Sequence, residues 1–153
     1  MMWRIDEATE DHARWIAPRM SLPDVAEVWA SSRNTPLKAL MQSINMSIVS
    51  WTWLVDGEPA CVFGVSSPSL IGNMGNPWML STPLVKKNTF AFLRNYKARI
   101  GEMLDLYPVL FNYVDARHTV CIRWLKWTGF TVGEPEPFGI NQMPFCRFEL
   151  RRG

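Results

Sequence analysis

Apolar positions along the chain change their spacing several times, and each change marks an element. Residues 47–55, Ser-Ile-Val-Ser-Trp-Thr-Trp-Leu-Val, are β-branched and aromatic, and Asp56-Gly57 supplies a hairpin turn into a second such run over 59–66. Residues 86–107 take helical spacing. There Phe90, Leu93, Tyr96, Ile100, Met103, Leu104 and Tyr107 form one stripe, which Pro108 terminates. The run 109–114 has strand length, and 118–128 returns to helical spacing, with Cys121, Trp124 and Leu125 at i, i+3, i+4. Gly129 stands where a helix end calls for a left-handed residue, and a further strand follows it.

The N-terminal third is helical. Residues 3–6 read as a short strand, and Thr9 as the N-cap of a helix over 11–20. Ser21-x-x-Asp24 has the form of a capping box, with Pro23 early in the next helix and Val25, Val28 and Trp29 on one face. Thr35-Pro36 opens a third helix, in which Leu37, Leu40, Met41 and Ile44 follow i, i+3, i+4, i+7. Residues 66–77 are a Gly/Asn/Pro/Ser loop, 78–82 a strand, 133–144 a second loop and 145–150 the final strand, with Cys146, Phe148 and Leu150 on one face. The order β-ααα-β-β-β-α-β-α-β-β predicts an α+β domain over 1–153, built on a central mixed sheet of six to seven strands flanked by helices.

Composition narrows the function classes. An apolar fraction of 48% and a charged fraction of 20% in 153 residues describe one globular domain. Eight Trp and nine Met fill a core, or line an apolar groove or subunit interface. A net charge of +2 gives nucleic-acid binding no strong electrostatic support. The local clusters Lys86, Lys87, Arg94, Lys97, Arg99 and Arg117, Arg123, Lys126 read first as solvated helix faces. Cys61, Cys121 and Cys146 show no paired spacing, which points to reduced thiols in a cytoplasm and argues against zinc. The N-terminal residues do not have the form of a signal peptide, and the apolar runs are too short to span a bilayer.

Several candidate chemistries fail on context. Cys121 lies on the apolar stripe of its helix with no base at a compelling spacing, and reads as a buried structural thiol. Glu134 and Glu136 flank prolines in a loop and solvate it. Ser81 has no GxSxG setting, and the two glycines of residues 71–77 precede a strand, not a helix. What remains is a pair of polar residues, Asp115 and His118, where a strand ends and a helix starts.

The unit NYVDARHTVCIRWLKWTGF resembles the C-terminal half of the GNAT N-acyltransferase fold, and the element order extends that resemblance over nearly the whole chain. More narrowly, Gly75-Asn76-Pro77-Trp78 and NYV…HT..IRWLKWTGF resemble the small GNAT-fold proteins of short-tailed bacteriophages, including the group named internal virion protein A. The superfamily resemblance implies acetyl-CoA as co-substrate, an amine acceptor and no metal. It implies a pyrophosphate cradle of Lys86, Lys87, Asn88, Thr89 and Ala91, with Ser81 as a further cofactor-binding position. Lys86 falls where the family's basic residue belongs, while Lys87 and Thr89 replace glycines and Ala91 keeps a small side chain.

The departures from the family are chemical. The tyrosine that commonly protonates the leaving thiolate is replaced by Leu125 or Lys126, the helix-starting asparagine by His118, and the fourth strand, WMLST, carries no glutamate base. Asp115 and His118 are then the expected catalytic residues, as base or water-orienting groups. The alternative is a catalytically degenerate GNAT-fold protein acting in virion assembly or binding a host protein. The phage resemblance implies a site of action in the bacterial host cytoplasm or the virion, without secretion. It suggests virion or host partners, and the final strands suggest a homodimer.

Overall fold

The sheet is assembled from two antiparallel blocks that touch at one narrow seam. The computed structural model describes residues 2–68 and 72–153. Strands β1 (Trp3–Glu7), β2 (Ser47–Val55), β3 (Glu58–Ser66) and β4 (Met74–Ser81) pair antiparallel in that order. Strands β5 (Val109–Asp115), β7 (Met143–Arg151) and β6 (Thr131–Phe138) form the second block, also antiparallel. The blocks meet through β4 and β5, which run parallel and pair only at Met74–Val109 and Gly75–Leu110. The result is a seven-stranded mixed sheet, order β1-β2-β3-β4-β5-β7-β6, in an α+β fold.

Helices cover both faces. Helices α1 (Glu10–Ile16), α2 (Leu22–Ser32) and α3 (Pro36–Met46) pack with Val62 and Leu80 on one face, around Ile16 and Leu40. Helices α5 (Thr89–Leu106) and α6 (Thr119–Thr128) cover the other, over Phe63, Val65, Leu110 and Val114. Because β3 is buried on both sides, it reads as a continuous apolar run without alternation.

Several expectations needed correction. The 66–77 loop is shorter, because β4 begins at Met74; Ser69, Leu70 and Ile71 of that loop lie outside the described residues. The single helix over 86–107 is two pieces. A helical turn, α4 (Leu84–Lys87), is offset from α5 by Asn88 at φ −135°, ψ 39°. Within α5 the buried side is Phe92, Leu93, Tyr96, Ile100 and Met103; Phe90 falls outside that arc and is 81% exposed. Val28 of α2 is buried whereas Trp29 is exposed, so the two do not share a buried face. The 133–144 loop contains most of β6, an edge strand bonded only to β7, where Pro135 and Pro137 are tolerated because one side needs no N–H donors. Gly129 ends α6 as expected, at φ 113°, with Phe130 N–H donating to the Leu125 carbonyl at 3.0 Å.

Candidate functional site

Beyond Gly75 the strands β4 and β5 diverge, and side chains replace the lost ladder. Asn76 Nδ2 donates to the Phe111 carbonyl and Asn112 Nδ2 to the Pro77 carbonyl, each at 2.9 Å. Pro77 has no N–H to offer the gap. Two carboxylates from α2 lace the open end of the V. Asp24 Oδ2 accepts from both Ser81 N–H and Ser81 Oγ–H at 2.8 Å, at the end of β4. Its Oδ1 lies 2.8 Å from His118 Nε2, just after β5. Glu27 Oε2 accepts from Asp115 N–H at 3.0 Å. Between the amide bridges and the carboxylates lies a cavity of about 460 Å³, walled by Trp78 and Met79 of β4, Tyr113 of β5, Tyr96 of α5 and Trp124 of α6.

Local sequence explains how each group is held. Ser21 makes no side-chain cap, so the Ser21-x-x-Asp24 signature is not a capping box: Asp24 points inward and is buried against Ser81 and His118. Three residues further along α2, on the same side, Glu27 reaches the cavity wall. His118 caps α6 itself, its Nδ1 accepting from Cys121 N–H at 3.4 Å. With Nδ1 an acceptor, Nε2 carries the proton that Asp24 receives. A second proton has to enter at Nδ1, so imidazolium formation and the helix cap exclude each other.

These contacts set the titrations. Burial raises the Glu27 carboxyl, reinforced by the Asp24 charge and only partly opposed by the Asp115 N–H, to about 7. Burial opposes an imidazolium at His118, but the Asp24 hydrogen bond and the charges of Asp24, Glu27 and Asp115 outweigh it and raise its pKa. For Asp115 burial acts upward, yet its bonds to the Arg117 guanidinium and backbone N–H prevail and hold it below the usual carboxylate value. Burial and the charges of Glu27 and Asp24 push the Cys121 thiol well up, so it stays protonated and unreactive.

Of the residues singled out from sequence, Asp115, His118 and Ser81 come together around Asp24 and Glu27, but none of the three borders the cavity. Asp115 is committed to Arg117, and both donors of Ser81 are taken by Asp24. Lys86, Lys87, Asn88, Thr89 and Ala91 sit at the α4–α5 junction, outside the cavity lining. There Asn88 Nδ2 donates to the Leu84 carbonyl and Thr89 Oγ1 to the Lys86 carbonyl, so the segment is wound into a helical turn, not an open loop. Lys86 and Lys87 are solvent-exposed, and no carboxylate occurs from residue 82 to 101. Positive charge thus collects on the α5–α6 side of the V while Asp24 and Glu27 hold the α2 side.

Sequence reasoning missed Glu27, Asp24 and Tyr96. The only sequence signal for the first pair was two acids three residues apart early in a helix, which reads equally as N-terminal dipole compensation. Tyr96 was placed correctly on the apolar stripe of α5. It is 5% exposed and lines the cavity, and its hydroxyl has no hydrogen-bond partner among the described residues. Among those residues, no cluster of His, Cys, Asp and Glu is arranged to hold a metal ion.

No protein-family model matches the sequence, and no curated protein matches it. Solved structures do. An acetyltransferase of the GNAT family from Streptococcus pneumoniae is 10% identical, with a TM-score of 0.65, over 98% of this chain and 99% of its own. The ribosomal-protein-S5-alanine acetyltransferase of Vibrio fischeri is 15% identical, with a TM-score of 0.68, over 98% and 93%. The spermidine N-acetyltransferase of Vibrio cholerae, solved with CoA and spermine, is 13% identical, with a TM-score of 0.68, over 98% and 95%. At these identities the likeness is one of architecture: the chain has the fold of the GNAT acetyltransferases.

Proposed function

We propose that this protein is an acyl-CoA-dependent N-acetyltransferase that moves an acetyl group to an amine. The observation that carries the reading is the polarity around the V: exposed Lys86 and Lys87 at the start of α5, outside the cavity, and Glu27 of α2 on the cavity wall. Such a site draws an anionic donor and a cationic acceptor from opposite sides. The residues suit CoA in part. Lys86 and Lys87 and the N-terminal amides of α5 offer charge for a pyrophosphate, although the glycine-free turn gives its backbone less freedom to approach. When bound, acetyl-CoA supplies a thioester already activated toward amines.

The remaining work belongs to the protein. Glu27, on the cavity wall and with its pKa near neutrality, takes the proton that the ammonium must lose before it attacks. Asp24 and His118 hold α2 to the strand ends and so fix Glu27 in place, acting as positioning residues. Tyr96, kept protonated by burial, is a hydroxyl on the cavity wall that can donate a hydrogen bond to a departing thiolate. Isothermal titration with acetyl-CoA, with desulfo-CoA as comparison, tests the reading. Micromolar binding, lost on joint Lys86→Glu and Lys87→Glu substitution, is expected. No heat at millimolar ligand overturns it.

A second reading, a GNAT-fold protein without catalysis that serves in a phage virion or binds a host protein, is favoured by one contact. Phe92 and Trp124 meet at 5.9 Å between ring centroids, bridging α5 to α6 beside the cavity. An aromatic bridge there narrows the approach from the cationic face. Should neither the wild type nor Trp124→Ala bind acetyl-CoA, this second reading stands, and co-sedimentation with purified particles becomes its test.

A further inference from the structure

Charge along the acceptor side of the cavity is confined to one group. Among the described residues lining it, Glu27 is the single carboxylate, and no Lys, Arg or His joins it. Toward α3 the lining turns to neutral hydrogen-bonding groups, Ser31, Ser32, Asn34, Gln42 and Ser43, with Asn34 Nδ2 donating to Gln42 Oε1 at 3.0 Å. Flat aromatic faces complete it. Tyr113 and Phe138 stack at 4.1 Å and 15°, and Trp78 is fixed by its indole N–H, which donates to Ser47 Oγ at 2.6 Å.

The hairpin between β6 and β7 closes this side. Ile140 N–H donates to the Ser31 carbonyl at 3.0 Å, and Arg33 Nε to Asn141 Oδ1 at 2.9 Å. A volume of about 460 Å³ accommodates a molecule of dipeptide or amino-sugar size.

Resting on the acetyl-transfer reading for the role of the ligand, we infer that the acceptor is a primary monoamine. Its single ammonium sits at Glu27, and the rest of the molecule is uncharged, polar and hydrogen-bonding. The argument is one of charge matching. A buried ammonium needs a carboxylate and finds one, and aromatic faces add a favourable cation–π term. A carboxylate on the ligand meets Glu27 with no cation on the lining to offset it. A second ammonium meets only neutral side chains and gains nothing over a hydroxyl.

Equilibrium titration of the full chain at neutral pH without acyl donor, using three probes, tests this inference. The probes are alanyl-serine amide, the same dipeptide with its free C-terminal carboxylate, and spermidine. The amide is expected to bind about tenfold or more tightly than the free acid, and spermidine no more tightly than the amide. Glu27→Gln, which keeps an oxygen for Asp115 N–H, is expected to weaken the amide about tenfold or more. Gln42→Glu, which keeps an acceptor for Asn34, is expected to raise affinity for spermidine selectively. Equal binding of amide and acid, tenfold tighter spermidine in the wild type, or no amide binding at millimolar concentration overturns the inference. Acetyl transfer in the same mixtures is scored separately by mass spectrometry. Absent transfer with the binding order intact removes the acetyl-transfer reading and leaves the charge selectivity standing.

Discussion

Replacing Glu27 by Gln is expected to make the protein more stable, and only at the alkaline end. The folded state holds the Glu27 proton up to about pH 7, whereas the unfolded chain releases it near the ordinary value of 4.5. Across that window the native state binds more protons than the unfolded one, so stability falls as pH rises. The displacement corresponds to about 3 kcal/mol, fully expressed above pH 7 and absent below pH 4.5. Gln keeps the acceptor for Asp115 N–H at 3.0 Å but cannot ionise, so the variant escapes the penalty. His118 adds a slope of the same sign above its ordinary 6.5, because its folded pKa is also raised, and the variant retains most of it. Urea unfolding followed by Trp fluorescence from pH 4.5 to 8 reads both slopes. At a slope of about 2 kcal/mol/M, the midpoint of the variant should exceed the wild type by about 1–2 M at pH 8 and converge on it at pH 4.5. A constant difference across pH would refute the account, since it would show that burial of the Glu27 carboxylate is not what the native state tolerates.

Asp24→Asn should act in the opposite sense. Its new N–H₂ faces either Ser81 or His118 Nε2, and in the latter case forces the imidazole proton to Nδ1 and breaks the cap on Cys121 N–H; a loss of about 2–3 kcal/mol is expected in the same urea assay. Gly139→Ala places a Cβ 2.8 Å from Ser31 Cα at a residue with φ 77°, so the β6–β7 turn must lift from α2. Faster hydrogen exchange at Ile140 N–H, with a loss of about 1–2 kcal/mol, is the expected readout. Asp115 titrates with the other sign. Its folded pKa is lowered, so its contribution is present above the ordinary 3.8 and disappears as pH falls through the lower folded value, and Arg117→Ala should blunt that acid limb.

Most of the fold was legible because periodicity reports burial, and burial determines the sheet. Strand β2, the helix ending at Gly129 and the succession of strands and helices along the chain follow from spacing and turn chemistry alone. Spacing fails at two points here: nothing in Lys-Lys-Asn-Thr-Phe-Ala-Phe says that Asn88 leaves the helical region, and Phe90 fits an i, i+3 step to Leu93 although Phe92 lies nearer the centre of the buried arc. Pro135 and Pro137 disguised an edge strand as a loop, since proline argues against a ladder only where both sides are paired.

The site was half legible. His118 and Asp115 announce themselves at a strand–helix junction. Asp24 and Glu27 do not, because their meaning depends on α2 lying across the ends of β4 and β5, a contact between residues about ninety positions apart.

The seam between the two sheet blocks has a mechanical consequence. Two ladder pairs and two asparagine amides join β4 to β5, while every other neighbouring pair of strands is tied by five register pairs or more. The angle between the blocks is therefore the softest internal coordinate of the sheet, with Gly75 and Leu110 as its pivot. Prying the blocks apart strains the α2 carboxylate contacts before it breaks any strand pair. The molecule is a hinge with a latch, and one group of that latch, Glu27, lies on the cavity wall.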